Sequence, residues 1–252
     1  GDSAYGTWDD YTKASGFEAY DDELSYTSFA KDMVKRADRI RTAGSISPCT
    51  VPVVLAPGGC GTLWHESCGH SLEAIAIAHR SSAFVDKIGE KVASDKVTLV
   101  DDGTLPGQYG STAIDDEDHP MQRNVLIENG ILKTYLVDKR NSRKMNHPIT
   151  GSSRRESYKY QTTSRMTNTY FLNGKSTFEE IIQNTKYGLF AKEMGGGSVN
   201  PATGEFNFAV NVAYMIEDGK ITKPVKGATL VGSGKDVLLR IDMIGNNLSC
   251  GY

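Results

Sequence analysis

His65-Glu66-Ser67-Cys68-Gly69-His70 sets two imidazoles around a carboxylate, the donor types and the base that metal-assisted hydrolysis needs. Imidazole nitrogens hold zinc, and a glutamate next to a ligand can take a proton from water that the ion activates. In the shorter pattern His-Glu-x-x-His the two rings lie about 40° apart on an α-helix and share a face. Here the histidines are five positions apart. At roughly 100° per residue, the second ring falls about 140° from the first, so a regular helix holds this pair badly. The spacing therefore predicts a local π-type widening that returns His70 to the face of His65. Gly69, directly before His70, is the residue type most tolerant of irregular backbone.

On this reading His65 and His70 are ligands to Zn2+, and Glu66 is the catalytic base. A catalytic zinc site takes three protein ligands and keeps the fourth position open. Four residues compete for the third place. Glu73 follows His70 by three positions, where a carboxylate also suits a surface or supporting role. His79, beside Arg80, reads as solvent-exposed, and Cys68 points the wrong way on any roughly regular helix and reads as a small buried hydrophobe. Cys250 sits in the glycine-flanked stretch Gly245-Asn246-Asn247-Leu248-Ser249-Cys250-Gly251, an arm able to carry a thiolate to the ion. The bland alternative is an amphipathic helix with two structural histidines. Leu63, Trp64, Leu72, Ala74, Ile75 and Ala76 mark the segment as buried, and buried histidines need partners.

The elements that must position this motif follow from patterning. Val51-Pro52-Val53-Val54-Leu55-Ala56 reads as a strand and Pro57-Gly58-Gly59 as the turn that ends it, giving the order strand, glycine turn, helix. Residues 1–26 show no clear period and read as a leader or boundary segment. From Thr27 to Thr42, Phe29, Met33, Val34, Ala37 and Ile40 recur at steps of three and four, which predicts an amphipathic helix. The acidic run Asp115-Asp116-Glu117-Asp118 reads as a solvated loop. Asn129-Gly130 and Asp218-Gly219, each between apolar runs, predict two antiparallel hairpins. Ser176-Thr177-Phe178-Glu179 carries a capping-box pattern and opens a short helix running to Tyr187. Phe206, Phe208, Val210 and Val212 alternate with Asn207, Ala209 and Asn211, a half-buried strand. The sum is an α+β fold, a mainly antiparallel sheet with the motif-bearing helix packed on it, forming one compact domain over 27–252.

Composition removes several function classes. The chain has 252 residues, 38% of them hydrophobic, enough for a sizeable core. A formal net charge of −3 with both signs dispersed recommends neither nucleic acid nor a membrane surface. No apolar run approaches the roughly 20 residues of a spanning helix. Four cysteines at irregular spacing do not make a disulfide framework, so the expected compartment is the cytoplasm.

Longer matches accompany the motif: Val100-Asp101-Asp102-Gly103-Thr104, Ile114-Asp115-Asp116-Glu117, Val125 through Lys133, Arg154-Arg155-Glu156-Ser157-Tyr158, Arg165-Met166-Thr167-Asn168-Thr169, Gly195-Gly196-Gly197 and Lys223 through Leu230. With Leu63 through Glu73, these resemble the TldD/PmbA family of metallopeptidases, on its TldD branch, from about Gly16 to Leu248. The resemblance implies a zinc-dependent cytoplasmic peptidase of small or unfolded peptides that works as a homodimer or with a TldE-like partner. It carries the family's metal ligands onto His65 and His70 and its catalytic glutamate onto Glu66; the family's C-terminal-loop cysteine, which usually lies several residues further past the Gly-Asn-Asn-Leu segment, is expected to be either Cys250 or a residue of the missing C-terminal tail. That family's N-terminal domain and extreme C-terminus are expected to be missing, so the chain reads as the catalytic half of a longer protein.

Two rival readings stand beside this one. A non-catalytic, peptide-binding subunit of a TldD/TldE-like complex would share the fold without the chemistry, but the intact His65, Glu66 and His70 argue against it. A nucleotide-binding protein is suggested by Gly58-Gly59-Cys60-Gly61 and Gly232-Ser233-Gly234-Lys235. Neither has phosphate-loop spacing, and Asp236 stands where a magnesium-binding hydroxyl is needed. Arg154, Arg155 and Arg165 have the planar fork that grips a carboxylate or carbonyl, or that forms ion pairs between strands or subunits.

Overall fold

A computed structural model of the chain describes residues 26–200 and 202–249. The leader segment, apart from its last residue, and Cys250 lie outside the described residues. In chain order the elements are helix α1 (Tyr26–Thr42), β1 (Gly44–Ser45), β2 (Val53–Leu55), α2 (Thr62–Trp64), α3 (Ala74–Ala78), β3 (Leu99–Asp102), β4 (Arg123–Glu128) and β5 (Ile131–Leu132). They continue with α4 (Lys139–Met145), β6 (Ser153–Arg154), β7 (Thr163–Ser164), β8 (Thr169–Phe171), α5 (Phe178–Asn184), β9 (Tyr187–Val199), β10 (Glu205–Glu217), β11 (Lys220–Lys226), β12 (Ala228–Ser233) and α6 (Gly234–Leu239). None of the described helices is long and apolar enough to cross a membrane.

The fold is α+β and its strand pairing is mainly antiparallel. The larger sheet runs β1-β11-β10-β9-β2, with β12 also paired to β10. Strand β10 organises it: β9 lies along one edge, and β12 then β11 share the other. Along β10, Phe206, Phe208, Val210 and Val212 are buried while Asn207, Ala209 and Asn211 are exposed, so the alternation in the sequence sets the face. The second sheet, β5-β4-β3-β8, is wholly antiparallel. Both expected hairpins form, with Asn129 and Gly130 at φ of 47° and 82° and Asp218 and Gly219 at 50° and 71°. Besides these two sheets the described strands form a third, the short antiparallel pair β6-β7; alternation in the sequence gives a strand's faces but not its neighbours.

Two local expectations shift. The capping box forms one residue later than Ser176 predicts: Thr177 accepts from Glu180 N and Glu180 accepts from Thr177 N, and the helix ends at Asn184 rather than Tyr187. The acidic run is not simply solvated. Asp115 is buried and accepts backbone N–H groups from Glu117, His119 and Ser153, while Glu117 accepts from Lys139 N and Thr162 Oγ1. Carboxylates fixed by several donors stay satisfied without water and tie the loops together.

The motif segment lies between the two sheets. Strand β2 runs parallel to β9, and Gly58, at φ 77°, turns the chain from it into α2. Leu63 packs with Phe206 and Phe208 of the larger sheet, while Cys68 and Leu72 enter the core with Leu99, Leu126 and Ile127 of the smaller. Trp64 touches both clusters and lies 5.0 Å, ring to ring, from Phe171. Two glycine contacts set how tightly the segment is held. A Cβ on Gly69 would collide with the Met166 side chain, and one on Gly234, at the start of α6, with the Ser67 carbonyl.

These contacts differ in how they can relax. Gly234→Ala meets backbone and is expected to cost about 1–3 kcal/mol in denaturant unfolding, as overpacking does. Gly69→Ala meets a flexible thioether, so Met166→Ala should recover most of its cost. A double mutant whose losses simply add would remove the Gly69–Met166 contact from this account.

Candidate metal centre

The helix that begins at Thr62 widens where the sequence requires it. Residues His65–Gly69 form a π turn, and the N–H of His70 donates to the carbonyl of His65, five residues back. One wider turn absorbs the extra residue and brings both rings to one side: their centroids are 5.0 Å apart and their planes cross at 85°. Gly69 lies within this turn, buried and with no room for a side chain. A tight 3-10 turn follows at His70–Leu72, and the helix breaks at Glu73, whose backbone is extended at φ −69° and ψ 130°. The break is tied down by Ala74 N–H donating to Leu136 O and Leu136 N–H donating to Leu72 O.

This break turns Glu73 back toward the histidine before it. Glu73 is only 4% exposed, and its Oε1 stands 3.0 Å from His70 Nδ1. The ring therefore carries its proton on Nδ1, donates it to Glu73, and presents the Nε2 lone pair. Glu66 Oε2 lies 3.6 Å from that Nε2. His65, Glu66 and His70 each offer a ligand atom within 4.8 Å of the other two, and all three are partly buried. Two imidazoles and a carboxylate, one imidazole fixed by a second carboxylate, are a donor set that suits zinc.

The two rings are tuned in opposite directions. Burial holds the His65 pKa below the ordinary histidine value, with His70 and Arg165 adding to the effect and Glu66 opposing it. The hydrogen bond that His70 donates to Glu73 raises its pKa above that value against the cost of burial. A ring that resists protonation and a ring held in one tautomer are both fit to ligate.

Other sequence candidates separate clearly. Glu73 is a buried partner of His70 rather than a surface group. His79 is exposed beside Arg80, as its sequence context suggests. Cys68 is fully buried, and burial pushes its thiol up to about 12, so it stays a neutral packing group among core residues. Cys250 lies outside the described residues. Arg154, Arg155 and Arg165 are all exposed, and Arg165 stands beside the centre, its Nη1 3.8 Å from Glu73 Oε2. Sequence reading named these three arginines together; what singles out Arg165 is a tertiary contact that no local pattern encodes.

The sequence profile of the PmbA/TldA metallopeptidase C-terminal domain matches residues 48–251. A Haemophilus influenzae protein named a metalloprotease TldD homolog is 47% identical over 230 residues, which is 91% of this chain and 48% of its own. A Methanocaldococcus jannaschii metalloprotease is 38% identical over 243 residues, covering 96% of this chain and 53% of its own. The chain thus spans about half the length of the curated relatives it matches. A Thermotoga maritima structure, named for modulation of a DNA gyrase, superposes with a TM-score of 0.80 at 25% identity, over 90% of this chain and 52% of its own. TldE from Thermococcus kodakarensis shares the fold at a TM-score of 0.76 and 24% identity, over 89% of this chain and 51% of its own.

The opposed tuning of the rings is open to measurement in metal-free protein. In NMR titration, His70 should titrate above the ordinary histidine value and His65 below it. His70, raised on folding, contributes stability at low pH that is lost as pH rises through its folded pKa. For His65, lowered on folding, the contribution is present above the ordinary value and is lost as pH falls through the folded pKa. Glu73→Gln should bring His70 down; an unmoved His70 would remove Glu73 as its partner.

Proposed function

The chain belongs to the PmbA/TldD metallopeptidase family, and from that premise we propose that it is the catalytic part of a zinc-dependent peptidase acting on small or unfolded peptides. The observation that carries this reading is the widened turn, through which His65, Glu66 and His70 converge although their spacing defeats a regular helix. His65 and His70 would hold the zinc, with Cys250 as the third protein ligand. Zinc bound there would supply Lewis acidity, polarising a carbonyl and lowering the pKa of water toward about 7.

The chain's own groups do the rest. Glu66 Oε2 takes the proton from the attacking water, the water oxygen bonds to the carbonyl carbon, and the C–N bond breaks as Glu66 returns that proton to the leaving nitrogen. Glu73 keeps His70 in the tautomer that leaves Nε2 free. Trp64, Leu63 and Leu72 close the inner side of the motif with apolar surface.

Substrate preference follows from the sheet. Strand β9 is 13 residues long, but β2 pairs only with Leu189–Ala191, so among the described strands nothing pairs with that edge beyond Ala191. Strand β9 also packs against the turn that leads into the motif. An extended peptide can add to such an edge through backbone hydrogen bonds, and a folded protein cannot present one. The unpaired thiols Cys49, Cys60 and Cys68 suit the reducing cytoplasm. The partner we assign is a second copy or a TldE-like subunit of the same fold.

The deciding experiment measures zinc content and peptide cleavage together. Wild-type protein should hold about one zinc per chain and lose zinc and activity together to a chelator. Glu66→Gln should keep the metal and lose activity by at least about 100-fold, the scale of a missing general base. Cys250→Ser should weaken zinc retention by more than the roughly 10- to 100-fold that removing an outer partner costs. Full activity in Glu66→Gln would take Glu66 out of the mechanism, and zinc without cleavage would favour a peptide-binding subunit instead.

A further inference from the structure

Ser164, Arg165 and Met166 lie as one strap across the motif. Ser164 Oγ accepts from the N–H of Ile75, just beyond the break at Glu73, at 2.9 Å. Met166 fills the space over Gly69. Between them, Arg165 is anchored by its own N–H, which donates to Ser152 O at 2.7 Å.

The guanidinium is placed but not used up. Its nearest charged neighbour is Glu73, at 3.8 Å, an ion-pair distance longer than a hydrogen bond. The side chain is 49% exposed, and its N–H groups form no hydrogen bond with any described residue. Arg165 is also a positive neighbour of both His65 and His70, so it faces the pair rather than one ring alone. A group serving only to neutralise Glu73 would close on that buried carboxylate. This one stays open to solvent beside the converging donors.

We infer that Arg165 is a catalytic residue whose guanidinium receives the oxygen of the scissile carbonyl as that oxygen gains negative charge. The inference rests on the peptidase reading above. When water adds to the carbonyl carbon, the π electron pair moves onto oxygen. When the C–N bond breaks, the pair returns, and the proton held by Glu66 passes to nitrogen. A donor fixed in advance beside that oxygen stabilises the charged stage more than the neutral substrate, and so raises kcat rather than lowering KM. The fork of an arginine suits the task better than the point charge of a lysine.

The test compares Arg165→Met and Arg165→Lys with wild type in the intact protein. It reads zinc content, kcat and KM, and the affinity of a phosphinic peptide, whose tetrahedral oxygens mimic the charged stage. For Arg165→Met, kcat should fall about 10²- to 10³-fold with zinc content unchanged. KM should stay within about threefold, and phosphinic affinity should fall in step with kcat/KM while product-peptide affinity holds. Arg165→Lys should recover part of the loss. Zinc loss, or a raised KM at unchanged kcat, would make Arg165 a support or a ground-state contact and overturn the inference. Active wild type with Arg165→Met unimpaired would overturn this inference alone. Wild type that holds zinc yet neither cleaves peptides nor binds the phosphinic peptide would overturn the peptidase reading together with it.

Discussion

The hydrogen bond from His70 N–H to the His65 carbonyl is the constraint on which the centre depends. A π turn is rarely favoured on its own, and it persists where surrounding structure holds it. Here that structure is a core on either side of the segment. Leu63 is bound to the larger sheet, Cys68 and Leu72 to the smaller, and Trp64 spans the two. Met166 and α6 close on Gly69 and on the Ser67 carbonyl, leaving no room for the turn to relax. The donors converge because the packing leaves the backbone no regular alternative.

The break at Glu73 then divides the labour among the charges. Because the backbone becomes extended there, a carboxylate that would otherwise project from a helix turns back under His70. One ring is oriented by that partner, and the other is kept neutral mainly by burial. Glu66, 3.6 Å from His70 Nε2, is a third exposed and so the more accessible of the two carboxylates. Neighbouring acidic side chains thus take different roles because their environments differ.

Much of this was legible in the residues. The spacing of His65 and His70 conflicts with helical geometry, and that conflict foretold the widened turn. Asn129-Gly130 and Asp218-Gly219 marked both hairpins, because each places two residues at positive φ. The alternation through Phe206 to Val212 gave the buried face of β10. What could not be read was long-range. Asp115 reads as solvated because its stretch is acidic, yet one of its donors is Ser153, far along the chain. Ser176 and Thr177 are both good caps, and only the packed helix chooses between them. Arg165 became distinct from Arg154 and Arg155 only when the chain brought it to Glu73.

The candidate ligands and base occupy a few consecutive positions, but the parts that clamp the turn come much later: Met166, then β10, then Gly234. A ribosome releases the motif long before it supplies the clamp. The nascent segment therefore has the right side chains without the right backbone, and its rings cannot gather until the sheets have closed over it. Under the function proposed above, cleavage of unfolded chains, this order is a form of self-protection, since cutting ability would arrive only after the protein has ceased to resemble its own prey.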